Sequence, residues 1–401
     1  MSVRRELGNT DFEVGVIGLG GLGSATVHAL ARRGVSVVGL EQFELGHVRG
    51  ASHDHSRIIR RSYHTPHYVR LTAEAYRCWR DVESEADRPV ITITGGLDLF
   101  PPAAAIDPAD YRSALAEVGV EHEWLDGDEI RRRWPAFARG HLVDDEMLAI
   151  HAPDTGIVPP DRATALLQEL AVANGADLRP LTPVLSIHPG GGEVEVVTAA
   201  GSVRCGAVVV CADAWTNRLL APLGHRVPLT VTREQVSYFP VGNRQDLSIG
   251  RFPVWIWMDD PSFYGFPTYG PAGVADRIKA SEDCGGPVVD PDARGFDPDP
   301  EMEQRLARFL NDLIGTGLGA PRTTTCLYTL TADRDFVADR LDDHPNVVVG
   351  LGAAHGFKFA AWFGRVLADL ALGGEPGADL APFALDRPGL ERGFDRSSWL
   401  V

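Results

Sequence analysis

The sequence predicts an α/β fold in which two discontinuous domains interleave along the chain. Three observations predict it: an early strand, glycine turn and helix; a content of 44% hydrophobic residues over 401 positions; and strand-rich blocks that twice interrupt the strand–helix pattern. A chain of this length and composition buries a large core and commonly divides into two domains.

The strand, turn and helix that organise the chain lie within residues 14–41. The apolar run at residues 14–17 predicts a buried strand, and glycines spaced as GxGxxG follow it before a helix. In this context Gly18 permits the tight turn, Gly20 leaves room for a pyrophosphate, and Gly23 lets the helix pack closely on the strand. The helix N-terminus then faces the phosphates.

A second buried strand is predicted over residues 35–40, and Glu41 follows it. A carboxylate at this place can accept hydrogen bonds from both hydroxyls of an adenosine ribose. Because no arginine stands beside it, the pattern favours a free ribose over a 2′-phosphate. These elements predict a Rossmann-like dinucleotide-binding domain; the alternative is a glycine-rich turn without a ligand.

Composition excludes several classes of protein. The formal net charge of −17 argues against nucleic acid or an anionic membrane as partner. No stretch resembles a transmembrane span or a signal peptide, so we expect a soluble cytoplasmic protein. The five cysteines are scattered and nowhere spaced CxxC, which indicates neither a disulfide framework nor a zinc site.

The two domains are predicted from the change in local pattern. Short strands and Pro-rich turns dominate residues 91–151 and again 227–319, which we assign to a substrate domain with a mixed, strand-rich sheet. The remainder, residues 1–90, 152–226 and 320–401, is assigned to the dinucleotide-binding domain.

A polar loop follows Glu41 and would cross the cofactor. Its Arg57, Arg60 and Arg61 could clamp an anionic substrate, because a guanidinium matches a carboxylate with two parallel hydrogen bonds. The alternative is a solvated basic loop.

The C-terminal part carries a second set of signals. TTTCLYTLTADRDFVAD begins as a strand, whose period of two places Cys326 and Tyr328 on one face. After a buried strand over residues 346–351, a glycine turn opens a helix whose positive N-terminus would lie by His355 and Gly356. That dipole suits the N1 and C2 carbonyl region of a flavin; the alternative is an ordinary buried turn with a core histidine.

Together these motifs resemble the monomeric sarcosine oxidase family, which includes N-methyltryptophan oxidase, within the D-amino-acid-oxidase-like flavoproteins. The resemblance runs nearly end to end, through VGVIGLGGLGSA, SRIIRRSY, DTGIVPP, YGFP, CLYTLTADRDFVAD and HGFKF. It implies FAD rather than NAD and an FAD-binding domain interleaved with a substrate domain. It also implies a monomer that oxidises a secondary amino acid, N-methyl or cyclic, to an imine while O2 is reduced to H2O2.

The resemblance also assigns roles to individual residues. Cys326 matches the cysteine that carries the flavin 8-methyl group as a thioether. Arg60 and Lys358 match the pair that holds the substrate carboxylate. His53 and Arg57 match basic residues beside the flavin.

Three further matches concern the reacting centre. Tyr264 and Tyr328 match aromatic residues that line the substrate pocket. Lys279 falls where the family has its oxygen-activating lysine, whose positive charge would stabilise superoxide as it forms.

Two positions depart from the family. Asp213 stands in ADAW where the family has the glycine of GAW, and its carboxylate would repel a pyrophosphate unless it turns outward or the loop differs. Asp283 replaces a pocket histidine, where a carboxylate would reject a second acid on the substrate and favour a donor or cation, so we expect poor turnover of sarcosine. The alternative is that Asp283 faces solvent or neutralises an arginine such as Arg277.

Two other functions remain open beside the amine oxidase. One is a flavin amine dehydrogenase of the same fold that uses an acceptor other than oxygen, and the other is a flavin-binding protein without turnover. Peroxide formation in air separates the first function from both. A plain NAD dehydrogenase would leave CLYT and HGFK without a purpose.

Overall fold

A computed structural model of the chain describes residues 10–315 and 317–391. The strands are β1 (Phe12–Ile17), β2 (Val37–Leu40), β3 (Arg57–Ile59), β4 (Thr92–Ile93), β5 (Gly96–Phe100), β6 (Glu123–Asp126), β7 (Leu148–Ala152), β8 (Gly156–Val158), β9 (Asp177–Arg179), β10 (Val184–Gly190), β11 (Glu193–Thr198), β12 (Gly201–Val210), β13 (Leu229–Pro240), β14 (Val254–Trp257), β15 (Phe263–Phe266), β16 (Arg277–Glu282), β17 (Arg322–Thr331), β18 (Val337–Arg340) and β19 (Val347–Leu351). The α-helices are α1 (Gly21–Ala31), α2 (Pro66–Ala86), α3 (Pro108–Val118), α4 (Gly127–Arg133), α5 (Pro160–Ala173), α6 (Thr216–Leu220), α7 (Pro300–Ile314), α8 (Ala360–Ala371) and α9 (Pro388–Glu391).

The first sheet has a parallel centre, in which β1 lies between β2 and β12. β9 continues the sheet beyond β2, and β19 continues it beyond β12, both in the parallel sense. The hairpin of β10 and β11 pairs with the first half of β12. The apolar residues of α1, α5 and α8 pack in one core with those of β1 and β12. This sheet is the Rossmann-like α/β arrangement that the sequence predicts.

The second sheet is almost entirely antiparallel, in the order β17-β13-β16-β15-β14-β5-β7-β6. One face packs on α4 and α7 through a core that includes Leu97, Trp255, Ile278 and Leu306. Side chains alternate across a strand with a period of two, so the residues between these core positions point to the opposite face. That opposite face holds Tyr264, Lys279, Cys326 and Tyr328.

A small third sheet, β3-β8-β4, holds the polar loop in place. Arg57 is paired in register with Val158, and Ile59 with Gly156. A Cβ on Gly156 would lie 2.4 Å from the Thr92 carbonyl oxygen, so only glycine permits this close strand pairing. The DTGIV segment therefore anchors the strand that carries Arg57.

The predicted domain boundary at residue 320 lies too early. β17 pairs along its length with β13, so residues 322–331 belong to the strand-rich sheet. The period of two identified β17 as a strand but not which sheet it joins, because pairing partners are decided by distant residues. The rest of the domain division stays a prediction. No helix among the described residues is long and apolar enough to cross a membrane.

Candidate active site

The glycine turn closes tightly against the end of β12. Gly18 has a φ of +91°, and a Cβ there would lie 2.4 Å from the carbonyl oxygen of Cys211. A Cβ on Gly23 would lie 1.8 Å from the carbonyl oxygen of Gly18, so the helix approaches the strand as closely as the backbone allows. Gly20 is the N-cap of α1, and the N–H of Gly21 donates to Ser52 Oγ at 2.9 Å.

Glu41 stands at the end of β2 and closes this turn. Its Oε2 accepts from the N–H of Leu19 at 2.8 Å, and its Oε1 accepts from the N–H of Phe43 at 3.0 Å. Burial opposes ionisation, but hydrogen bonds from His47, Leu19 and Phe43 hold the pKa of Glu41 below its usual value. An ionised carboxylate offers about four lone-pair sites, so acceptor capacity remains for ribose hydroxyls.

A cavity of about 510 Å³ lies between the two large sheets. Its wall extends from the glycine turn and Glu41 to the second sheet and to the segment between β19 and α8. The wall includes these predicted site residues: Gly18, Gly20, Glu41, Arg57, Arg60, Tyr264, Asp283, Tyr328, His355, Gly356 and Lys358. His53, Lys279 and Cys326 are not among the residues that line the cavity, and Gly23 lies inside the packed turn.

Arg60 and Lys358 converge on Tyr63. The Arg60 guanidinium lies 4.7 Å from the centre of the Tyr63 ring, and Lys358 Nζ donates to Tyr63 Oη at 2.9 Å. The Lys358 carbonyl accepts from Trp79 Nε1 at 2.8 Å, which fixes the backbone of the HGFKF turn. Trp79 itself is fully buried.

Arg60 also has an ionic partner that the sequence did not indicate. Its Nη1 donates to Asp98 Oδ1 at 3.2 Å, and both residues are buried, with exposures of 4% and 5%. Burial raises the pKa of Asp98, and Arg60 opposes the rise. Asp98 therefore compensates one of the two cations that were predicted to hold a carboxylate.

Arg61, the third arginine of the predicted clamp, does not contribute to this cluster. Its Nε lies 2.6 Å from Asp154 Oδ2, and its guanidinium lies over the ring of Tyr76. Because neighbouring residues of an extended chain point in opposite directions, Arg60 and Arg61 cannot serve the same pocket.

Lys279 is buried in an ionic pocket directly behind the cavity wall. Its Nζ lies 2.7 Å from Asp54 Oδ2, donates to the Ser56 carbonyl at 2.7 Å, and lies 4.7 Å from the ring centre of Phe266. Phe266 itself lines the cavity. Burial lowers the pKa of Lys279 to about 8 against the opposing effect of Asp54.

Asp54 is the residue around which this ionic pocket is built. It has a φ of +87°, an uncommon conformation for a residue other than glycine. It accepts a hydrogen bond from the Tyr238 hydroxyl and lies 3.3 Å from Arg57 Nη1. Burial opposes ionisation, but Lys279 and Arg57 hold its pKa well below the usual range.

Cys326 lies on β17 opposite Glu234. Its neighbour Leu327 packs in a separate apolar cluster, so Cys326 and Tyr328 alternate with it and share a face, as the period of two predicts. Burial raises the pKa of the Cys326 thiol to about 11, although Arg57 opposes the rise. Burial and Arg57 together lower the pKa of His53 to about 3, so His53 is neutral rather than basic.

Asp283 lies just beyond the end of β16 and lines the cavity, but it is already paired. Arg334 contacts it twice, at 2.8 Å from Nη1 to Oδ2 and at 3.2 Å from Nη2 to Oδ1. Arg277, the example of a partner named in the alternative interpretation, instead donates to the Tyr238 carbonyl. Asp283 is therefore part of an ion pair, as in the alternative in which it neutralises an arginine, and its effect on substrate preference stays a prediction.

His355 and the two tyrosines complete the wall. His355 Nε2 lies 2.9 Å from the Arg334 carbonyl, which can only accept, so Nε2 carries the hydrogen and Nδ1 is an acceptor. Burial holds the pKa of His355 well below 6.5. The hydroxyls of Tyr264 and Tyr328 lie 3.4 Å apart. After His355 the chain forms a 3-10 turn, Gly356–Phe359, and α8 begins only at Ala360.

A family model for FAD-dependent oxidoreductases matches residues 13–370 of the chain. The chain belongs to this family. It is 32% identical over 396 residues to the monomeric sarcosine oxidase of Bacillus sp. strain B-0618, and the alignment covers 97% of this chain and 100% of that protein. It is 35% identical over 376 residues to the monomeric sarcosine oxidase of Streptomyces avermitilis, covering 90% and 94%. These matches confirm the resemblance to the monomeric sarcosine oxidases.

Among solved structures, NikD, an unusual amino acid oxidase essential for nikkomycin biosynthesis, is similar with a TM-score of 0.83 at 28% identity. The alignment covers 93% of this chain and 97% of NikD. The similarity spans both sheets, so the predicted fold class is confirmed over nearly the whole of this chain.

The cavity of this FAD-dependent oxidoreductase fits its cofactor. Its volume lies within the usual range for ligand sites, and the glycine turn leaves the N-terminus of α1 open to it. Buried polar atoms around it lack a hydrogen-bond partner among the described residues: His53 Nε2, Asp213 Oδ2, Thr329 Oγ1 and His355 Nδ1. Buried polar groups are normally paired, so these atoms indicate contacts that a ligand completes.

Sequence reasoning missed Asp54, Asp98 and Arg334. Asp98 could have been found, because a single charge inside the apolar run LDLF is unusual for a buried strand. Asp54 and Arg334 lie in polar segments where a charge is not unusual, so the sequence does not single them out. Both have a positive φ, which the fold imposes and the local sequence does not indicate. The composition also singles out the two lysines, because Lys279 and Lys358 are the only lysines among the 38 Lys and Arg residues of the sequence.

Proposed function

We propose that this FAD-dependent oxidoreductase oxidises a secondary amino acid, N-methyl or cyclic, to an imine and passes the electrons to O2, which yields H2O2. The charges at the substrate end of the cavity carry the proposal. Three cations, Arg60, Lys358 and Arg334, stand against two carboxylates, Asp98 and Asp283. Among the described residues, Lys358 adds a positive charge beyond these two ion pairs, and that charge matches a substrate with one carboxylate. The names of the sarcosine oxidase relatives agree with such a substrate.

The residues of the chain bind and orient the substrate, while FAD supplies the two-electron acceptor. Arg60 and Lys358 hold the carboxylate, so the C–H bond beside nitrogen is turned toward the cofactor, and orientation of this kind can remove several kcal/mol from a barrier. Tyr264 and Tyr328 cover the site and exclude water. Neutral His355 offers Nδ1 as an acceptor without adding charge.

Lys279 serves the reaction with oxygen. Its cation lies directly behind Phe266, and we propose that it stabilises the negative charge that develops on O2. Asp54 holds the ammonium in place from the side away from the cavity.

An aerobic screen of N-methyl and cyclic amino acids, with peroxide as the readout, tests the proposal. Peroxide should form with at least one amino acid and not with its carboxyl ester. A protein that is reduced by these amino acids but forms no peroxide, and that turns over with an artificial electron acceptor, would instead be a dehydrogenase. No reduction by any of them would leave a flavin-binding protein.

We expect FAD to be attached covalently to Cys326. Acid precipitation should leave the yellow colour in the wild-type pellet, and Cys326→Ser should release it to the supernatant. Cys78→Ser, a change at another buried cysteine, serves as the control and should keep the colour in the pellet. Because the thiolate is the reactive form and the pKa of Cys326 is about 11, attachment to apoprotein should quicken as pH rises from about 7 to about 9. Wild-type flavin in the supernatant would contradict the attachment.

The Asp283–Arg334 pair is expected to exclude a second acid on the substrate. Asp283→Asn removes the carboxylate that compensates Arg334, so kcat/KM for an N-methyl dicarboxylic amino acid, relative to sarcosine, should rise at least about threefold, or about 0.65 kcal/mol. Asp276→Asn, which removes a surface carboxylate paired with Arg244, is the matched control and should leave the ratio unchanged. A smaller change at Asp283 would remove it from the specificity site.

A further inference from the structure

Asp213 lies on the cavity wall where the first sheet meets the glycine turn. It begins a single 3-10 turn, Asp213–Trp215, after β12, and its φ of +46° lies in the left-handed region. The segment before it packs directly on the turn, since a Cβ on Gly18 would lie 3.3 Å from Ala212 Cα. Asp213 therefore faces the part of the cavity where the glycine turn and the N-terminus of α1 receive phosphate groups.

The carboxyl group of Asp213 is enclosed and has no ion-pair partner among the described residues, and its polar neighbours are the Thr329 hydroxyl and the N–H of Ala214. Its Oδ2 is buried and has no hydrogen-bond partner within the described part of the chain, and the same holds for Thr329 Oγ1, which also lines the cavity. The nearest basic residue on the following helix does not serve it, because Arg218 pairs with Asp292. A buried ionised carboxylate without a cation is costly, and for Asp213 the effect of burial exceeds the opposing effect of Thr329 and Ala214, so the neutral acid is favoured once a ligand excludes water.

We propose that Asp213 binds FAD as a neutral carboxylic acid, which donates a hydrogen bond to a phosphoryl or hydroxyl oxygen of the cofactor, so that binding of FAD takes up a proton. An ionised Asp213 would repel the diphosphate, whereas the neutral acid supplies a donor that a glycine at this position cannot. The inference rests on FAD binding alone and is independent of the amino-acid substrate.

The other titratable groups near Asp213 do not change protonation near neutral pH. Burial raises the pKa of Cys211 to about 12 and that of Cys326 to about 11. Burial also raises the pKa of Tyr328 well above 10, and Arg218 forms an ion pair with Asp292. Burial raises the pKa of Asp213 itself to about 6, which places its titration just below neutral in the free protein.

A second ionisable group belongs to the far end of the cofactor site. His47 lines the cavity and lies 3.5 Å from Glu41 Oε1, so this side chain also stands at the FAD site. It is unchanged in a variant of Asp213. The difference between the parent protein and an Asp213 variant therefore isolates the proton on Asp213.

The test measures FAD binding by flavin fluorescence in a Cys326→Ser background, where the flavin is not attached. Between about pH 6 and about pH 9, the Kd of the Asp213 protein should rise by up to about tenfold per pH unit relative to that of Asp213→Asn. Asn keeps a donor without a charge, so the affinity of that variant should depend little on pH. Parallel pH profiles for the two proteins would overturn the proposal.

Calorimetry provides a second measurement, which detects the proton directly in the protein that keeps Asp213. Titration of the Cys326→Ser protein with FAD in buffers of different ionisation enthalpy should show uptake of about one proton near pH 7.5. The uptake should fall toward zero in Asp213→Gly, where glycine suits the left-handed φ but brings no carboxyl group. No proton uptake by the Asp213 protein would overturn the proposal even if neither variant folds.

Discussion

Replacing Lys279 by Met is expected to slow reoxidation of the reduced enzyme by O2 at least about 100-fold, which is typical for the loss of a buried charge that stabilises a developing anion. Met keeps the length and packing of the side chain but removes the cation that Asp54 holds at 2.7 Å. Stopped-flow mixing of substrate-reduced enzyme with oxygenated buffer measures this step directly. Anaerobic reduction by the substrate is the control and should change only a few-fold.

The same lysine predicts a pH dependence. The pKa of Lys279 is lowered to about 8, so its cation is present below that pH and is lost as pH rises through it. Reoxidation should therefore slow above about pH 8 in the wild type but not in Lys279→Arg, which stays charged. Asp54→Asn removes the attraction that opposes the fall in pKa, so the midpoint should move to lower pH.

Lysine composition makes this pKa measurable. Because Lys279 and Lys358 are the two lysines of the chain, isotope-labelled lysine should give two side-chain NMR signals. The signal lost in Lys279→Met should titrate near pH 8. An unaltered rate of reoxidation in Lys279→Met would show that the lysine only fills the pocket behind Phe266.

Replacing Arg60 by Met is expected to impair both stability and substrate binding. Removal of one partner of a buried pair typically costs about 3 to 5 kcal/mol, because Asp98 is left buried without its guanidinium. Loss of a charge-assisted hydrogen bond of about 1.5 to 3 kcal/mol should raise the Kd of an amino-acid substrate at least tenfold. Denaturant unfolding and anaerobic substrate titration measure the two effects.

The double variant Arg60→Met with Asp98→Asn separates these roles. It removes the uncompensated carboxylate, so most of the stability should return while the weak substrate binding persists. Arg61→Met is the matched control, because Arg61 pairs with Asp154 outside the cavity and should leave Kd unchanged. If wild type bound a substrate and its ester equally well, the carboxylate clamp would be misassigned.

Much of the fold was predictable because it depends on patterns within short segments of the sequence. GxGxxG between an apolar run and a helix requires close backbone packing, and the structure shows it at Gly18 and Gly23. The period of two along TTTCLYTL correctly placed Cys326 and Tyr328 on one face. The resemblance to the monomeric sarcosine oxidases, which runs over nearly the whole chain, indicated FAD as the cofactor and an oxidoreductase as the class of enzyme. The family match confirms both.

The partners of the charged residues could not be predicted in the same way. Three ion pairs of the site join segments far apart in the chain: Arg60 with Asp98, Lys279 with Asp54, and Asp283 with Arg334. The sequence shows the charges but not which of them compensate one another. The pairing of Asp283 with Arg334 was not predicted for this reason.

The sequence by itself determined the Rossmann-like turn, the strand that carries Cys326 and the kinds of side chain available for chemistry, because these follow from glycine geometry and from periodicity within short segments. Only the tertiary structure decided which strand joins which sheet, where residues 322–331 belong, and how the charges pair. The physical reason is that electrostatic effects depend on distance and burial. Both quantities are set by packing between the two sheets, which no single segment encodes.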